Sequence, residues 1–208
     1  MLIILGKSSS INVRKVLWTC EIMGIPYQLE PYGSGTANSV ESAGFLALNP
    51  HGMVPVMIDD DFVLVESNTI CRYLAAKYQR NDLLPTEPAA RAQVEKWMDW
   101  QISDLNNAWR YAFMAIARQS PLHQDAELLQ RSCVEWNRHM RVIEQHLETR
   151  TPFLTGSQFS LADIVIGLSI HRWKSTALDH PSFPNIEAYY LRLRELPGFV
   201  AHVANGHP

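Results

Sequence analysis

The sequence predicts an α+β chain in two parts, a mixed strand-and-helix segment followed by helices alone. Three observations carry this. Up to about Tyr78, short apolar runs alternate with a helical pattern in the order β-α-β and then β-β-α. After Asn81–Pro88, every long pattern has helical spacing. Finally, 208 residues that are 47% hydrophobic hold ample apolar side chain for a core.

The elements follow in order. Leu2 to Leu5 reads as a buried strand. Val13, Val16, Leu17 and Cys20 fall on one helical face, and Gly24 supplies a helix stop. Pro26 to Glu30 forms a second strand. The Gly-, Ser- and Asn-rich stretch from Tyr32 to Ala43 reads as a loop or short irregular helix. Val54 to Ile58 and Phe62 to Val65 flank Asp59-Asp60-Asp61 as a hairpin. Ser67 then caps a helix running to about Tyr78. Beyond the break come helices over about Ala89–Arg118, Gln124–Thr149, Leu161–Ser175 and Asn185–Glu195. The expected division is residues 1–80, a linker at 81–88, and an all-helical part at 89–208.

Composition narrows the function. A net charge of −3 with no basic block argues against nucleic acid. No apolar run approaches the roughly 18 residues of a spanning helix, which argues against a membrane role. Met1 to Lys7 lacks the basic region and apolar length of a signal peptide, so a cytoplasmic location is expected. Cys20, Cys71 and Cys133 are scattered and sit among apolar neighbours, as buried reduced thiols do. Neither they nor the histidines have metal-ligand spacing, so no metal or prosthetic group is expected.

The most telling stretch is Asn49-Pro50-His51-Gly52-Met53-Val54-Pro55, followed by Glu66-Ser67-Asn68. A proline cannot donate to a strand ladder, so Pro55 belongs at a strand start or edge. Read as cis, it leaves the main-chain N–H and C=O of Val54 for an extended peptide. Glu66 offers an acceptor for an amine. Ser67 and the helix amides behind it suit a carboxylate. An acid and a cap at a helix start also stabilise a helix with no ligand at all.

Together at this spacing, these residues resemble the glutathione transferase superfamily, and the resemblance runs to Ser160-Leu161-Ala162-Asp163 and the final helices. It implies a thioredoxin-like fold for the first part. It also implies a cytoplasmic homodimer that joins glutathione, as substrate, to a small hydrophobic electrophile in detoxification. By that resemblance Glu66 meets the γ-glutamyl amine, Ser67 the γ-glutamyl carboxylate and Val54 the cysteinyl backbone. The loop Ser8-Ser9-Ser10-Ile11-Asn12 holds the thiolate-stabilising position in the family. Aligned on Arg14 and Val16 it falls at Ser10, with Ser9 as the other register, as in serine-using theta-, delta- and nu-like bacterial members. Asn12 stands where many of those carry Pro or Asn. Trp109, Phe113 and Trp173 are the expected lining of the electrophile pocket. Other aromatic residues near Trp97 and Trp100 read as core or subunit interface.

One departure stands out. Between Lys15 and Arg72 there is no Lys or Arg, while Glu21, Glu30, Glu41, Asp59, Asp60, Asp61 and Glu66 are acidic. The cation that commonly meets the glycine carboxylate of glutathione is missing, and His51 is the expected substitute. The Ser160–Asp163 motif reads as a capping box, structural rather than catalytic. Two rival functions stand beside transfer. One is a glutathione-dependent disulfide or peroxide reductase or an isomerase, and the other is a non-catalytic ligand- or partner-binding module.

Overall fold

The computed structural model describes residues 1–149 and 151–208. Strands β1 (Leu2–Gly6), β2 (Tyr27–Pro31), β3 (Val56–Asp59) and β4 (Phe62–Val65) form one sheet in the order β2-β1-β3-β4. The β1–β2 pair is parallel and the other two pairs are antiparallel. Helices α1 (Ile11–Met23), α2 (Ala43–Leu48) and α3 (Ser67–Lys77) accompany the sheet. The rest is helical: α4 (Pro88–Trp100), α5 (Asn106–Ile116), α6 (Ala126–Leu147), α7 (Leu161–Lys174) and α8 (Pro184–Leu193). This is the α+β arrangement, with a thioredoxin-like sheet first and helices after it, that the sequence predicts.

Local chemistry explains the boundaries. Gly24 closes α1 at φ 67°, a left-handed conformation that costs glycine little, and its N–H bonds back to Glu21 O. β3 starts at Val56, two residues later than expected, because Pro55 has no N–H for the ladder. The hairpin turns at Asp60, φ 54°, where Asp is among the few residues that tolerate positive φ. Ser67 does not cap α3: it is the first helical residue, and Glu66 occupies the cap position. The long helix expected over 89–118 is interrupted by a π-helical turn, Gln101–Leu105, between α4 and α5. The six-residue α2 and a π-helical segment, Phe199–Val203, are additions to the expected set.

The core runs through both parts. α1 and α7 pack together, and α7 is buried on every side from Leu161 to Trp173, as a helix apolar all round must be. Trp18 of α1 is fully buried against Phe159 and Phe199 and donates its indole N–H to Pro197 O at 2.9 Å. Asp163, also fully buried, accepts from Ser160 N and Oγ, Leu154 N and Tyr189 Oη at 2.8–2.9 Å. That carboxylate ties the start of α7 to α8 and to the preceding loop. Burial pushes the Cys20 thiol up to about 12 and the Cys71 thiol to about 11. Cys133 is half-buried rather than buried, and its thiol is also raised by burial. No helix among the described residues is long and apolar enough to cross a membrane.

Candidate functional site

Sheet register sets the site. Leu5 of β1 pairs with Val56 of β3, and Val56 pairs with Val65 of β4. These three residues therefore lie side by side across the sheet. The segments that leave at this end are Gly6–Ser10, Val54-Pro55 and Glu66-Ser67, so they emerge together. Gly6 also pairs with Pro31, which brings the loop after β2 to the same end. Ligands of open sheets bind outside the carboxyl ends of parallel strands, and this end is that one for β1 and β2.

Each predicted residue can be placed on this frame. Lys7 to Ser10 form a turn closed by Ser10 N–H to Lys7 O at 3.0 Å. Ser10 has the extended backbone of a helix cap, yet its hydroxyl makes no capping hydrogen bond. A capping role is thus unfilled and the Oγ is uncommitted. Ser9 is half-buried like Ser10. Asn12 is half-buried too, with a buried Oδ1 that meets no donor among the described residues. The Val54–Pro55 peptide is cis. No main-chain hydrogen bond engages Val54 among the described residues. Its loop is held by Asn49, which donates to Met53 O at 2.8 Å and accepts from His51 N at 3.1 Å. His51 itself is exposed.

Glu66 sits at φ 71°, ψ 106°, a region that non-glycine residues seldom occupy. Such outliers gather at ligand sites, where the fold supports the strain. Its carboxylate is exposed, whereas Ser67 and Asn68 are buried. The first-turn amides of α3 start here and favour an anion.

Trp109 and Phe113 pack edge to face on α5, ring centres 5.4 Å apart. Trp173 is not with them. It lies between His180 and Phe183, with its indole N–H on Asn137 Oδ1 at 2.8 Å, in a cluster near the start of α8. The three expected pocket residues therefore split into a pair and an outlier.

The sequence reading passed over three buried cations. Lys15 is fully buried and bonds Asn68 Oδ1 at 3.2 Å and Gln101 Oε1 at 2.6 Å. Burial, the largest influence, pushes its amine down to about 7. Asn68 in turn donates to Met98 O at 2.7 Å, so the residue after Ser67 is clamped to α4. Arg14 and Arg172 are also buried, and burial lowers both. Nothing in the local sequence marks these three, because their partners lie far away along the chain. A charged residue inside an apolar helical face is the only hint.

Two stretches of the chain match family models, residues 9–77 "Glutathione S-transferase, N-terminal domain" and residues 126–192 "Glutathione S-transferase, C-terminal domain". Over 200 residues the chain is 36% identical to glutathione S-transferase GstB of Escherichia coli (strain K12), covering 95% of each. This chain belongs to the glutathione S-transferase family. Among structures of glutathione S-transferases, it resembles the theta class enzyme of Xanthomonas axonopodis pv. citri with glutathione bound. That similarity has a TM-score of 0.89 and 34% identity, over 97% of this chain and 96% of the other. The chain is also similar to elongation factor 1-gamma of Danio rerio, 33% identical over 167 residues, which are 76% of this chain but 35% of that one.

Proposed function

We propose that the protein transfers the thiolate sulfur of glutathione to an electrophilic carbon, with Ser10 holding the thiolate. One observation carries this within the family: the pairing Leu5–Val56–Val65 collects Ser10, Val54-Pro55 and Glu66-Ser67 at one end of the sheet. In this reading the free N–H and C=O of Val54 pair with the cysteinyl backbone. Glu66 takes the γ-glutamyl amine, Ser67 and the α3 amides take the adjoining carboxylate, and Asn12 turns its unpartnered Oδ1 to the ligand. His51 serves the glycine carboxylate.

The chemistry needs little more. A free thiol has a pKa of about 8.5, so most is protonated at neutral pH. A hydroxyl hydrogen bond and the positive end of α1 both favour the thiolate. The sulfur then attacks an acceptor seated against Trp109 and Phe113. Glutathione is a substrate in this reading, with no prosthetic group or metal.

Three further parts belong to the same proposal. Residues 1–80 and 89–208 act as two domains joined by 81–88. The protein works in the cytoplasm. It forms a homodimer, supported by Phe62 and Val63 exposed on the edge strand β4 and by an apolar groove of about 260 Å³ lined by Lys96, Trp97, Trp100 and Val142. Light scattering tests the dimer.

The elongation-factor match favours a second reading, a binding module on the same fold. Calorimetry with glutathione and a thiol-conjugation assay separate the two. Binding with turnover supports transfer, binding without turnover or thiol reduction supports the module, and reduction without conjugation supports a reductase.

A further inference from the structure

The turn that carries Ser10 is held by a residue far away in sequence. Ser10 N–H closes the turn onto Lys7 O at 3.0 Å, so Ser8 and Ser9 are its two central residues and the Ser8–Ser9 peptide is its middle link. Types I and II of such a turn differ chiefly in how that link is rotated. The oxygen of the link is Ser8 O. Asn205 Nδ2 donates to it at 3.0 Å, across 197 positions of sequence.

Asn205 is itself held. Its Oδ1 accepts from Arg14 Nη1 at 3.2 Å and from His207 N–H at 3.3 Å. Ser8 O can only accept and a guanidinium can only donate, so this position needs a donor and an acceptor on one short side chain. A primary amide has both, an aspartate lacks the donor, and an apolar residue lacks both. Gly206 follows at φ 85°, a left-handed conformation that costs glycine little. Beyond it His207 O meets Arg14 Nη1 at 2.9 Å and Pro208 O meets Nη2 at 2.7 Å. Val203 O takes a further bond from Nη1 at 3.2 Å.

Arg14 leads back to Ser10. Its side chain is fully buried, and its main-chain N–H donates to Ser10 O at 2.9 Å, in the first turn of α1. The contacts therefore close a ring from Ser8 O through the Asn205 amide and the Arg14 guanidinium to Ser10 O. The ring fixes the backbone on both sides of Ser10, while the Ser10 hydroxyl makes no capping hydrogen bond. Such fixing matters, because a displacement of about 1 Å at a reacting centre can cost about 100-fold in rate.

We propose that Asn205 is a positioning residue for the thiolate site: it ties the Ser8–Ser9 peptide to Arg14 and thereby aims the Ser10 hydroxyl at the sulfur of glutathione. This rests on the transferase reading, with Ser10 as the thiolate's donor. Asn205 touches neither substrate in this account, and its effect passes through Ser10. It therefore acts on the ionisation of the bound thiol and on kcat. KM for glutathione is affected little, because Val54, Glu66 and Ser67 hold the rest of that ligand.

A double-variant cycle tests this, read by the ultraviolet absorbance of the bound thiolate against pH. In the wild-type background, Asn205→Ala should raise the thiolate midpoint by about half to one unit, part of the roughly one to two units expected for loss of the hydroxyl itself. Conjugation kcat at neutral pH should fall about three- to tenfold, with KM for glutathione within about twofold. In the Ser10→Ala background the same substitution should leave the midpoint unchanged, because the group it aims is gone. Asn205→Gln, which keeps donor and acceptor, should keep most of the wild-type midpoint. Arg14 retains Val203 O, His207 O and Pro208 O without Asn205, so the fold should stand. Should Asn205→Ala fail to fold, Asn205→Asp keeps the bond from Arg14, loses only the donor and enters the same cycle, where the effect of its added charge is common to both backgrounds. If Ser10→Ala shifts the midpoint but Asn205→Ala does not, or shifts it equally in both backgrounds, the positioning role is overturned and the transferase reading stands. An unmoved midpoint in Ser10→Ala removes the Ser10 assignment and this inference together. Failure of wild type to bind glutathione removes the transferase reading and this inference with it.

Discussion

Lys15 Nζ donates to Gln101 Oε1 across 2.6 Å, and both side chains are fully buried. The bond joins α1, which starts just after Ser10, to the π-helical turn between α4 and α5. The same ammonium reaches Asn68, which holds Met98 O. One side chain thus couples the start of α3 to the helical part of the molecule. Gln101 Nε2 extends the chain of bonds to Asn106 Oδ1 at 2.8 Å, across the turn itself.

Lys15→Met should loosen this coupling and weaken glutathione binding, read by calorimetry. It should also change how stability depends on pH. Burial depresses the folded-state amine to about 7 against 10.5 when unexposed to the protein. Between those values the unfolded chain holds a proton that the folded chain lacks. Wild-type stability should therefore rise with pH across that window, by up to about 1.4 kcal/mol per pH unit. Denaturant titrations at pH 7.5 and 9 should show the gap between wild type and variant changing in favour of wild type. An unchanged gap would mean that the amine is not desolvated as described.

Asp163→Ala should destabilise without touching the site. Four protein donors from Ser160, Leu154 and Tyr189 would lose their acceptor inside the core. The expected cost is roughly 3–5 kcal/mol, or about 6–20 °C in Tm. Calorimetric melting checks this, and glutathione affinity of the folded fraction should be retained.

Much of the fold was legible because its signals are local. The period of apolar residues, Gly24 as a stop, the Asp59–Asp61 turn and the Ser160–Asp163 box each act within a few positions. The π-helical turn was not legible, since its sequence keeps helical spacing and its buried partner Lys15 is on another helix. Glu66 as an outlier was equally hidden: nothing in Val65-Glu66-Ser67 announces positive φ. The candidate site was read mainly from Val54-Pro55 and Glu66-Ser67, which are contiguous motifs. Arg14 and Arg172 are 158 positions apart, and only the packing of α1 on α7 unites them. Trp173 was grouped with Trp109 and Phe113 through the family resemblance, but it follows Arg172 directly and so points to a different side of α7.

Ser67→Ala should weaken glutathione binding with less effect on the reaction of bound ligand. The hydroxyl is proposed to meet a carboxylate far from the sulfur. Loss of a hydrogen bond to a charged group costs about 1.5–3 kcal/mol, or roughly 10- to 100-fold in Kd. Steady-state kinetics should show this chiefly in KM for glutathione. A fall in kcat at constant KM would place Ser67 nearer the chemistry than argued.

The central claim is that Ser10 stabilises the thiolate of bound glutathione. It is tested most directly by titrating the ultraviolet thiolate absorbance of the complex against pH, for wild type and Ser10→Ala. In wild type the midpoint should lie at least one unit below the free-thiol value of about 8.5, and in the variant it should move back up by about one to two units. Conjugation at neutral pH should fall by roughly 10- to 100-fold in parallel. Coincident titration curves for the two saturated complexes would contradict the account.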